Sequence, residues 1–279
     1  MPHITVSALS HEGLVREHNE DSLAIGPWTI CATVTESPQS LLFPLGSPCV
    51  VAVADGLGGH PAGEVASSLT VRRLAAAGPA LRSARAVRDE LAACNRALYD
   101  AAAADAALTG MGTTIAGLVI GAEEVLVFNI GDSQVFEILP ADGPGGGGTA
   151  DGTREADDAG VPAGAGEAGG IPRLHQLSTD DSPPPPPGRR TTNIVTSTLG
   201  GTVAPREVTP HLRSLPVIVG ARYLVCSDGL TDPVPPEELA AVLAAHDDDD
   251  VRAAFELWRA AIDAGGPDNI TLALVRIGD

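Results

Sequence analysis

The chain has 279 residues, 44 % of them hydrophobic, which is enough to bury a core as one large domain or two small ones. Its 36 acidic residues outnumber the 17 basic ones and give a formal net charge of −19. Phosphate backbones and anionic membrane surfaces repel such a chain, so we expect no nucleic-acid and no membrane partner. The opening residues lack the basic start and apolar segment of a signal peptide, which predicts a cytoplasmic protein.

Eight apolar runs rich in β-branched residues predict strands along the chain. In order, they cover residues 4–9, 22–26, 50–54, 113–120, 124–130, 133–139, 222–227 and 270–277. The runs 124–130 and 133–139 flank Gly131-Asp132-Ser133, which predicts a hairpin with its turn at these three residues.

Two pairs of helix-like stretches separate the groups of strands. The first pair covers residues 62–77 and about 87–98, and the second covers 235–246 and 251–262. Apolar residues at helical spacing predict the core-facing sides of the second and fourth helices: Val87, Leu91, Cys94 and Leu98, and Val251, Phe255, Trp258 and Ile262. Strands and helices grouped in this way predict an α+β fold of antiparallel sheets with helices packed outside.

Two segments interrupt these patterns. Residues 141–170 nearly lack bulky side chains, so we expect a mobile Gly-rich insertion. Residues 182–190 contain five consecutive prolines, which favour a stiff polyproline II spacer; docking to an SH3-like or WW-like partner is the alternative. The four cysteines form no CxxC pair and are expected to be reduced structural thiols, with a Cys31–Cys49 disulfide as the alternative.

Five aspartates lie beside apolar runs and next to Gly, Ser or Asn. They are Asp21, Asp55, Asp132, Asp228 and Asp268. Asp55-Gly56 and Asp228-Gly229 are good hairpin dipeptides, but a helix-like stretch follows each of them where a hairpin would need a second strand.

Clustered carboxylates repel one another unless cations neutralise them, and an all-oxygen ligand set suits Mg²⁺ or Mn²⁺. Asp55 is the candidate to bridge two ions. Gly56 has no side chain, so its carbonyl can approach a metal closely.

Six blocks in this order resemble the metal-dependent protein serine/threonine phosphatases of the PPM, or type 2C, family in its compact bacterial form. The blocks are GLVREHNEDS (13–22), VADGLGGHPAGEVAS (53–67), GMGTTIAGLVI (110–120), IGDSQVFEI (130–138), LVCSDGLTDPV (224–234) and GGPDNITLALV (265–275). The resemblance runs from near the first residue to near the last. It implies a single PPM-type domain over 1–279, built as two antiparallel β-sheets packed as a sandwich with helix pairs on both outer faces.

The resemblance also assigns the metal ligands. It implies that Asp55 bridges two Mn²⁺ or Mg²⁺ ions, with the Gly56 carbonyl on one ion and Asp228 and Asp268 on the other. Asp132, with Asp228, matches a weaker third metal site.

Further residues take supporting roles in this resemblance. Glu20 and Asp21 would act mostly through metal-bound waters, and Asn269 would orient the carboxylate beside it. Arg16 would bind the substrate phosphate with two parallel hydrogen bonds, an arrangement that lysine cannot reproduce. The implied reaction is hydrolysis of phosphoserine and phosphothreonine on proteins by a metal-activated water, without a covalent enzyme intermediate.

The chain departs from the family pattern in several places. Some members carry a histidine directly after the Asp-Gly pair, proposed as the general acid, and here that residue is Leu57. The proton donor is therefore unassigned, because His60, His18 and His11 are supported only by proximity in sequence. The segment that forms a longer flap beside the active site in bacterial relatives is Pro-rich and short here, at about 182–195, and is called the flap below. An insertion at about Cys31–Pro48 has no clear counterpart in compact members.

Three functions fit these observations. The first is a metal-dependent phosphatase acting on phosphorylated proteins, such as the substrates of a cognate Ser/Thr kinase, in signal transduction as a monomer. The second is a non-catalytic phosphoprotein-binding or regulatory member of the same fold, which has no reason to keep every metal ligand. The third is a two-metal hydrolase of small phosphate esters, which the short flap permits; the charge of −19 argues against nucleic acid as its substrate.

Overall fold

The structure, a computed structural model, describes residues 1–57, 62–140, 172–192 and 194–279. His60 and the Gly-rich insertion at 141–170 lie outside these ranges. The role of His60, the mobility of the insertion and the single domain over 1–279 therefore stay predictions. The described helices are α1 (Ala62–Ala77), α2 (Ala84–Ala104), α3 (Asp228–Thr231), α4 (Pro236–Ala245) and α5 (Asp250–Asp263). None of these helices has the length and apolar character needed to cross a membrane.

The described strands form two six-stranded sheets and one small sheet. They are β1 (His3–His11), β2 (Ser22–Ile25), β3 (Trp28–Cys31), β4 (Gln39–Pro44), β5 (Cys49–Ala54), β6 (Gly56–Leu57), β7 (Gly112–Thr113), β8 (Ile115–Ile120), β9 (Glu124–Ile130), β10 (Gln134–Leu139), β11 (Arg173–Gln176), β12 (Leu199–Gly200), β13 (His211–Pro216), β14 (Arg222–Cys226) and β15 (Ile270–Gly278). Sheet A has the order β11-β10-β14-β15-β1-β4, and sheet B has the order β13-β9-β8-β5-β2-β3. Every paired strand in both sheets runs antiparallel.

Three apolar clusters define the layers of the molecule. One lies between the sheets and joins side chains such as Val6 and Val275 of sheet A to Val51 and Leu118 of sheet B. A second packs α1 and α2 on the outer face of sheet B, and a third packs α4 and α5 on the outer face of sheet A. The predicted α+β sandwich with helix pairs on both outer faces is confirmed.

The predicted hairpin at 124–139 is wrong. β9 pairs with β8 and β13 in sheet B, whereas β10 pairs with β11 and β14 in sheet A. The chain therefore crosses from one sheet to the other at Gly131-Asp132-Ser133. Two apolar runs with a tight turn fit either arrangement, because the pattern within each strand does not say which strand lies beside it.

The apolar side of α2 is confirmed, since Val87, Leu91, Cys94 and Leu98 are all buried. The predicted side of α5 is confirmed only in part. Trp258 and Ile262 are half-buried and pack against the cluster on sheet A, but Val251 is 40 % exposed. The fully buried apolar residues of α5 are Ala253, Ala254, Leu257 and Ala261. Small side chains on this face let α5 pack on β1 and β15 of sheet A.

The early insertion, at about Cys31–Pro48, contributes a strand to sheet A. Within it, β4 pairs with β1 and forms an edge of that sheet.

All four cysteines are free thiols, so the prediction of reduced cysteines is confirmed and the Cys31–Cys49 disulfide is absent.

Candidate active site

Asp55 lies at the point where the buried strand β5 ends. All six residues of β5 are buried, and the backbone beyond it is held by a threonine pair. Thr114 donates from its backbone nitrogen to the Asp55 carbonyl at 2.9 Å, and the Thr113 hydroxyl donates to the same oxygen at 2.7 Å. The Asp55 carboxylate is therefore presented from rigid backbone rather than from a hairpin turn.

The residues after Asp55 pack against the start of α1 without room for side chains. A Cβ on Gly56 would lie 2.4 Å from the Gly63 carbonyl oxygen and 2.6 Å from that of Glu20. A Cβ on Gly63 would lie 1.8 Å from a carboxylate oxygen of Glu20. Glycine at both positions therefore lets the Glu20 segment, the Asp55 strand end and α1 meet at one place.

Asp228 and Asp21 come together from opposite parts of the chain. Asp228 is the first residue of the single-turn helix α3, and only Ser227 separates it from the end of β14. Ser227, which precedes it, donates its hydroxyl to Oδ2 of the fully buried Asp21 at 2.7 Å. Oδ1 of Asp21 and Oδ1 of Asp228 are both buried and accept no hydrogen bond. Two buried carboxylate oxygens without donors are costly unless a cation or ordered water meets them.

Asp132 is carried by the turn that joins the two sheets. Gly131, before it, has φ +103°, and a Cβ there would lie 2.7 Å from the Thr114 side chain, so only glycine fits. Ser133, after it, shares a 2.7 Å hydrogen bond with the Thr114 hydroxyl. Thr114 thus links the Asp132 turn to the end of β5, where Asp55 lies.

Arg16 and Asp268 form an ion pair at the mouth of the site. Nη2 of Arg16 donates to Oδ2 of Asp268 at 2.7 Å, and the Arg16 side chain is 56 % exposed. The other oxygen of Asp268 accepts from the backbone nitrogen of Asn269 at 2.9 Å. The predicted phosphate-binding arginine therefore contacts a predicted metal ligand directly.

The Asn269 side chain holds the segment that precedes β2. Its Oδ1 accepts from the Glu20 backbone nitrogen at 2.8 Å, and its Nδ2 donates to the carbonyls of Glu12 and His18, both at 2.9 Å. The Asn269 backbone thus contacts Asp268, while its amide fixes the loop that carries Arg16 and Glu20.

One open cavity of about 570 Å³ brings these residues together. It is lined by Arg16, Glu20, Asp55, Gly56, Asp132, Asp228, Asp268 and Asn269, among others. Of the predicted site residues, Asp21 alone does not line it and lies buried behind Ser227. Within the described part of the chain, no three His, Cys, Asp or Glu side chains already converge as a closed ligand set. The carboxylates instead surround an open space that waters or ions can share.

Crowding and burial raise the pKa values of these carboxyl groups. Burial raises the pKa of Asp21 to about 7 and that of Asp132 to about 6. The pKa of Asp55 is raised well above its ordinary value by burial and then by repulsion from Asp21 and Asp228. Burial also raises the pKa of Asp228, followed by repulsion from Asp132. Each shift reports a cluster of like charges removed from water without a counter-charge.

Several residues of the site were not anticipated from the sequence. Asp232 lines the cavity, and a neighbouring space of about 270 Å³ shares Asp132, Asp228 and Asp232 and adds Asp180 and flap residues such as Arg190. Asp232 follows Asp228 by four residues on one short helical turn, a spacing that could have indicated it. Asp180 carried no such signal, because only the fold brings it to Asp132.

The residues considered as proton donors lie in different places. His18 and Leu57 line the cavity. His11 accepts a 2.9 Å hydrogen bond from the Gly13 backbone and packs on Trp258, with ring centroids 5.3 Å apart, which is a structural role.

A second large cavity, of about 530 Å³, contains none of the predicted site residues. It is lined mainly by apolar side chains between β4 and the end of α1, including Phe43, Pro44 and Pro79. Unlike the acidic cavity, this apolar cavity has no carboxylate in its lining, so the acidic cavity is the candidate active site.

The antiparallel sandwich gathers carboxylates from five separate segments around one cavity, an arrangement suited to divalent cations. Comparison with known proteins narrows the class of protein. The family model described as Protein phosphatase 2C matches residues 44–143. Serine/threonine protein phosphatase PstP of Mycobacterium tuberculosis is 29 % identical over 288 residues, and serine/threonine phosphatase stp of Listeria welshimeri is 29 % identical over 271.

The matches cover almost all of this chain, 98 % and 94 % respectively. The chain spans 45 % of the length of the mycobacterial relative and 92 % of the Listeria one. The crystal structure of the M. tuberculosis serine/threonine phosphatase PstP/Ppp superposes with a TM-score of 0.72 at 26 % identity, over 99 % of this chain and 100 % of that one. The catalytic domain of PstP in complex with two manganese ions superposes with a TM-score of 0.69 at 26 % identity, covering all of both chains.

Motif order, fold and these similarities agree from one end of the chain to the other. The chain is similar in sequence and in fold to bacterial protein phosphatases of type 2C.

Proposed function

We propose that this protein is a metal-dependent protein serine/threonine phosphatase that hydrolyses phosphoserine and phosphothreonine. The observation that carries the proposal is the acidic cavity itself, where Asp55, Asp132, Asp228 and Asp268 surround one space beside Arg16. The similarity to PstP and stp, both named serine/threonine phosphatases, supports the same reaction.

The residues present fit two divalent cations. The donors are carboxylates and a glycine carbonyl, the ligands that Mn²⁺ and Mg²⁺ prefer. A buried Asp228 oxygen lacks any hydrogen-bond donor, and the pKa of Asp55 is raised by burial and then by its charged neighbours, as expected where counter-charge is needed. We infer that Asp55 and the Gly56 carbonyl, with Asp228 and Asp268, would hold two ions, and that Asp132 with Asp228 would hold a third. Manganese in the PstP catalytic domain supports this assignment.

When bound, the two ions would lower the pKa of a water molecule toward neutrality and offset the charge of the phosphate ester. The chain's own groups supply binding and orientation. Glu20 lines the cavity and Asp21 lies buried behind it, a placement that suits contact with the ions through waters rather than directly. Asn269 keeps the loop of Arg16 and Glu20 in place through three hydrogen bonds.

Arg16 is the candidate phosphate-binding residue. Its guanidinium is half exposed at the mouth of the cavity and uses one nitrogen on Asp268, which leaves other N–H groups for phosphate oxygens. Leu57 offers no proton to the leaving serine or threonine oxygen. We therefore assign protonation of that oxygen to water, because the cavity is open.

The wider setting is also a proposal. A cognate Ser/Thr kinase would supply the phosphoprotein substrates in signal transduction. Four free thiols support a reducing, cytoplasmic compartment. We expect a monomer, which light scattering on the purified chain will test.

The deciding experiment measures hydrolysis of p-nitrophenyl phosphate and of a phosphothreonine peptide with Mn²⁺, with Mg²⁺ and after EDTA. We expect turnover of both substrates that needs added metal and stops with chelator. Full turnover in a metal-stripped sample would contradict the metal assignment. Binding of the phosphopeptide without turnover would favour a non-catalytic member, and turnover of p-nitrophenyl phosphate alone would favour a hydrolase of small esters.

A further inference from the structure

Asp181, at the start of the flap, makes hydrogen bonds to three separate segments of the chain. Its backbone nitrogen donates to the Gly131 carbonyl at 2.9 Å, and its Oδ2 accepts from the Gly131 nitrogen at 2.9 Å. Its own carbonyl accepts from the backbone nitrogen and the hydroxyl of Thr196, at 2.7 and 2.8 Å. Its Oδ1 lies 2.9 Å from Nε2 of His211 on β13. Every polar atom of Asp181 is therefore used.

These contacts have two consequences for geometry. Both polar backbone atoms of Gly131 are bound by one residue, so Asp181 fixes the turn immediately before Asp132. Thr196 lies just beyond the far end of the flap, so the same residue closes the flap at its base. The Asp181 carboxylate is only 17 % exposed, which protects these hydrogen bonds from competing water.

A neighbouring pair strengthens the same junction. The Asn129 side chain donates to the Thr179 carbonyl at 2.7 Å and accepts from its nitrogen at 3.1 Å. The flap itself has no regular secondary structure over 182–192. At its tip, Arg190 donates to the carbonyls of Thr231 and Asp232 at the end of α3. The flap is therefore tied down at its base and tip rather than by a strand ladder.

We propose that Asp181 is a positioning residue that fixes the flap and the Asp132 turn together, and so sets how a phosphoprotein substrate approaches the acidic cavity. The part of this inference that concerns substrate rests on the proposed phosphatase function. The part that concerns the flap does not, because it predicts a property of the chain without turnover.

Limited trypsin digestion tests the flap directly. The chain contains no lysine, so trypsin cleaves it only after arginine. Arg189 and Arg190 of the flap are both exposed. For Asp181→Ala we expect cleavage after these two arginines to be about tenfold faster, relative to cleavage after the exposed Arg206 in the same digest. Mass spectrometry of the fragments separates the sites. The matched control is Asp89→Ala, which removes a 68 % exposed carboxylate of α2 and should leave the ratio unchanged.

Kinetics test the substrate part. For Asp181→Ala we expect KM for a phosphothreonine peptide to rise about tenfold, with a change of less than about threefold for p-nitrophenyl phosphate, which has no peptide chain to lie along the flap. A purely structural defect would lower both activities together. Asp181→Asn keeps a carbonyl oxygen for the Gly131 nitrogen and should restore most of both readouts, which keeps the test decisive if the alanine variant folds poorly.

The outcomes are distinguishable. Unchanged trypsin ratios in both Asp181 variants, with melting temperatures like the wild type, would overturn the inference. Equal loss of activity on both substrates would overturn its substrate part. A wild-type protein without phosphatase activity would overturn the proposed function and the substrate part, while faster flap cleavage in Asp181→Ala would still establish Asp181 as the anchor.

Discussion

At the scale of single residues, the acidic cavity places several negatively charged carboxylates where they are buried from water. Asp21 is fully buried, and the pKa of Asp55 is raised by burial and then by repulsion from four other carboxylates. Such positions are unfavourable in the metal-free protein and become favourable only when cations enter. Substitutions here should therefore change stability and activity in opposite directions.

Asp55→Asn is the sharpest case. Removing the proposed bridging charge should lower kcat/KM by about 100-fold or more, because a side-chain amide binds Mn²⁺ far less well. The melting temperature of the metal-free variant should rise, since one buried like charge is gone. Kinetics and thermal unfolding in EDTA measure both effects, with the exposed Asp89→Asn as control. A variant with wild-type turnover would show that Asp55 does not bridge the metals.

Arg16 should behave differently from the metal ligands. Arg16→Ala should raise KM by about tenfold, because two charge-assisted bonds to phosphate are lost. Mn²⁺ affinity should not fall, since Asp268 is released from its ion pair. Arg16→Lys should recover only part of the activity.

Calorimetric Mn²⁺ titration beside the kinetics decides this point. Arg85→Ala, an exposed helix arginine, serves as the control. Weaker Mn²⁺ binding with unchanged KM would mean that Arg16 supports the carboxylates and that another group holds the phosphate.

At the scale of secondary-structure elements, strand register decides which segments the fold can spare. Leu139 at the end of β10 pairs with Arg173 at the start of β11. The Gly-rich stretch 141–170 thus begins and ends at a closed hairpin, and the two strands do not need it to find their register.

Replacing residues 141–170 with a Gly-Asn-Gly turn should therefore leave the protein folded and active. We expect a change in melting temperature of no more than about 3 °C, because a shorter loop costs less closure entropy and little apolar burial is lost. Circular dichroism and kcat/KM for the phosphopeptide measure the outcome. An unfolded or inactive variant would reveal a docking role for this stretch.

The start of α5 is fixed to sheet A by a buried ion cluster. Asp250 accepts from Nε and Nη2 of Arg222 on β14 and from the same two atoms of Arg276 on β15, at 2.6 to 3.1 Å. The two arginines face each other across the strands, so Asp250 also relieves their repulsion.

Asp250→Ala should lower the free energy of unfolding by about 3 kcal/mol, because it leaves the buried Arg222 with only the exposed Asp247 as a charged partner. Urea denaturation measures the loss. Asp248→Ala, two residues away and exposed, should change the free energy of unfolding by less than about 0.5 kcal/mol. Equal effects of the two substitutions would show that the cluster adds no stability.

At the scale of the whole molecule, the net charge of −19 and the acidic cavity make metal-free stability depend on pH. The folded-state pKa of Asp21 is about 7 and that of Asp132 about 6, both raised from 3.8. The folded state therefore binds more protons than the unfolded state between about pH 4 and pH 7. Stability is greatest at the acid end of this window and is lost as the pH rises through the folded values.

The melting temperature in EDTA should accordingly rise as the pH falls from 8 to 5. Saturating Mn²⁺ should remove most of this dependence, because cations replace protons as the counter-charge. Thermal scans across the pH series, with and without metal, check both statements. Metal-free stability that increases toward pH 8 would mean that these carboxyls are not buried as like charges.

The amino-acid sequence determined the identity of the elements and the set of acidic residues. Apolar periodicity located the inner strands of both large sheets, both helix pairs and the buried face of α2, because these signals depend only on neighbours along the chain, but it missed the edge strands β3, β4 and β13. Ordered blocks around Asp55, Asp132, Asp228 and Asp268 were enough to indicate the family. The tertiary structure alone decided which strands pair, so it placed Gly131-Asp132-Ser133 between the sheets and turned the alanine face of α5 inward. It also joined Arg16 to Asp268 and Asp181 to Gly131, contacts between residues 252 and 50 positions apart. Periodicity reports that a side chain is buried, but the identity of its partner depends on the packing of the whole chain.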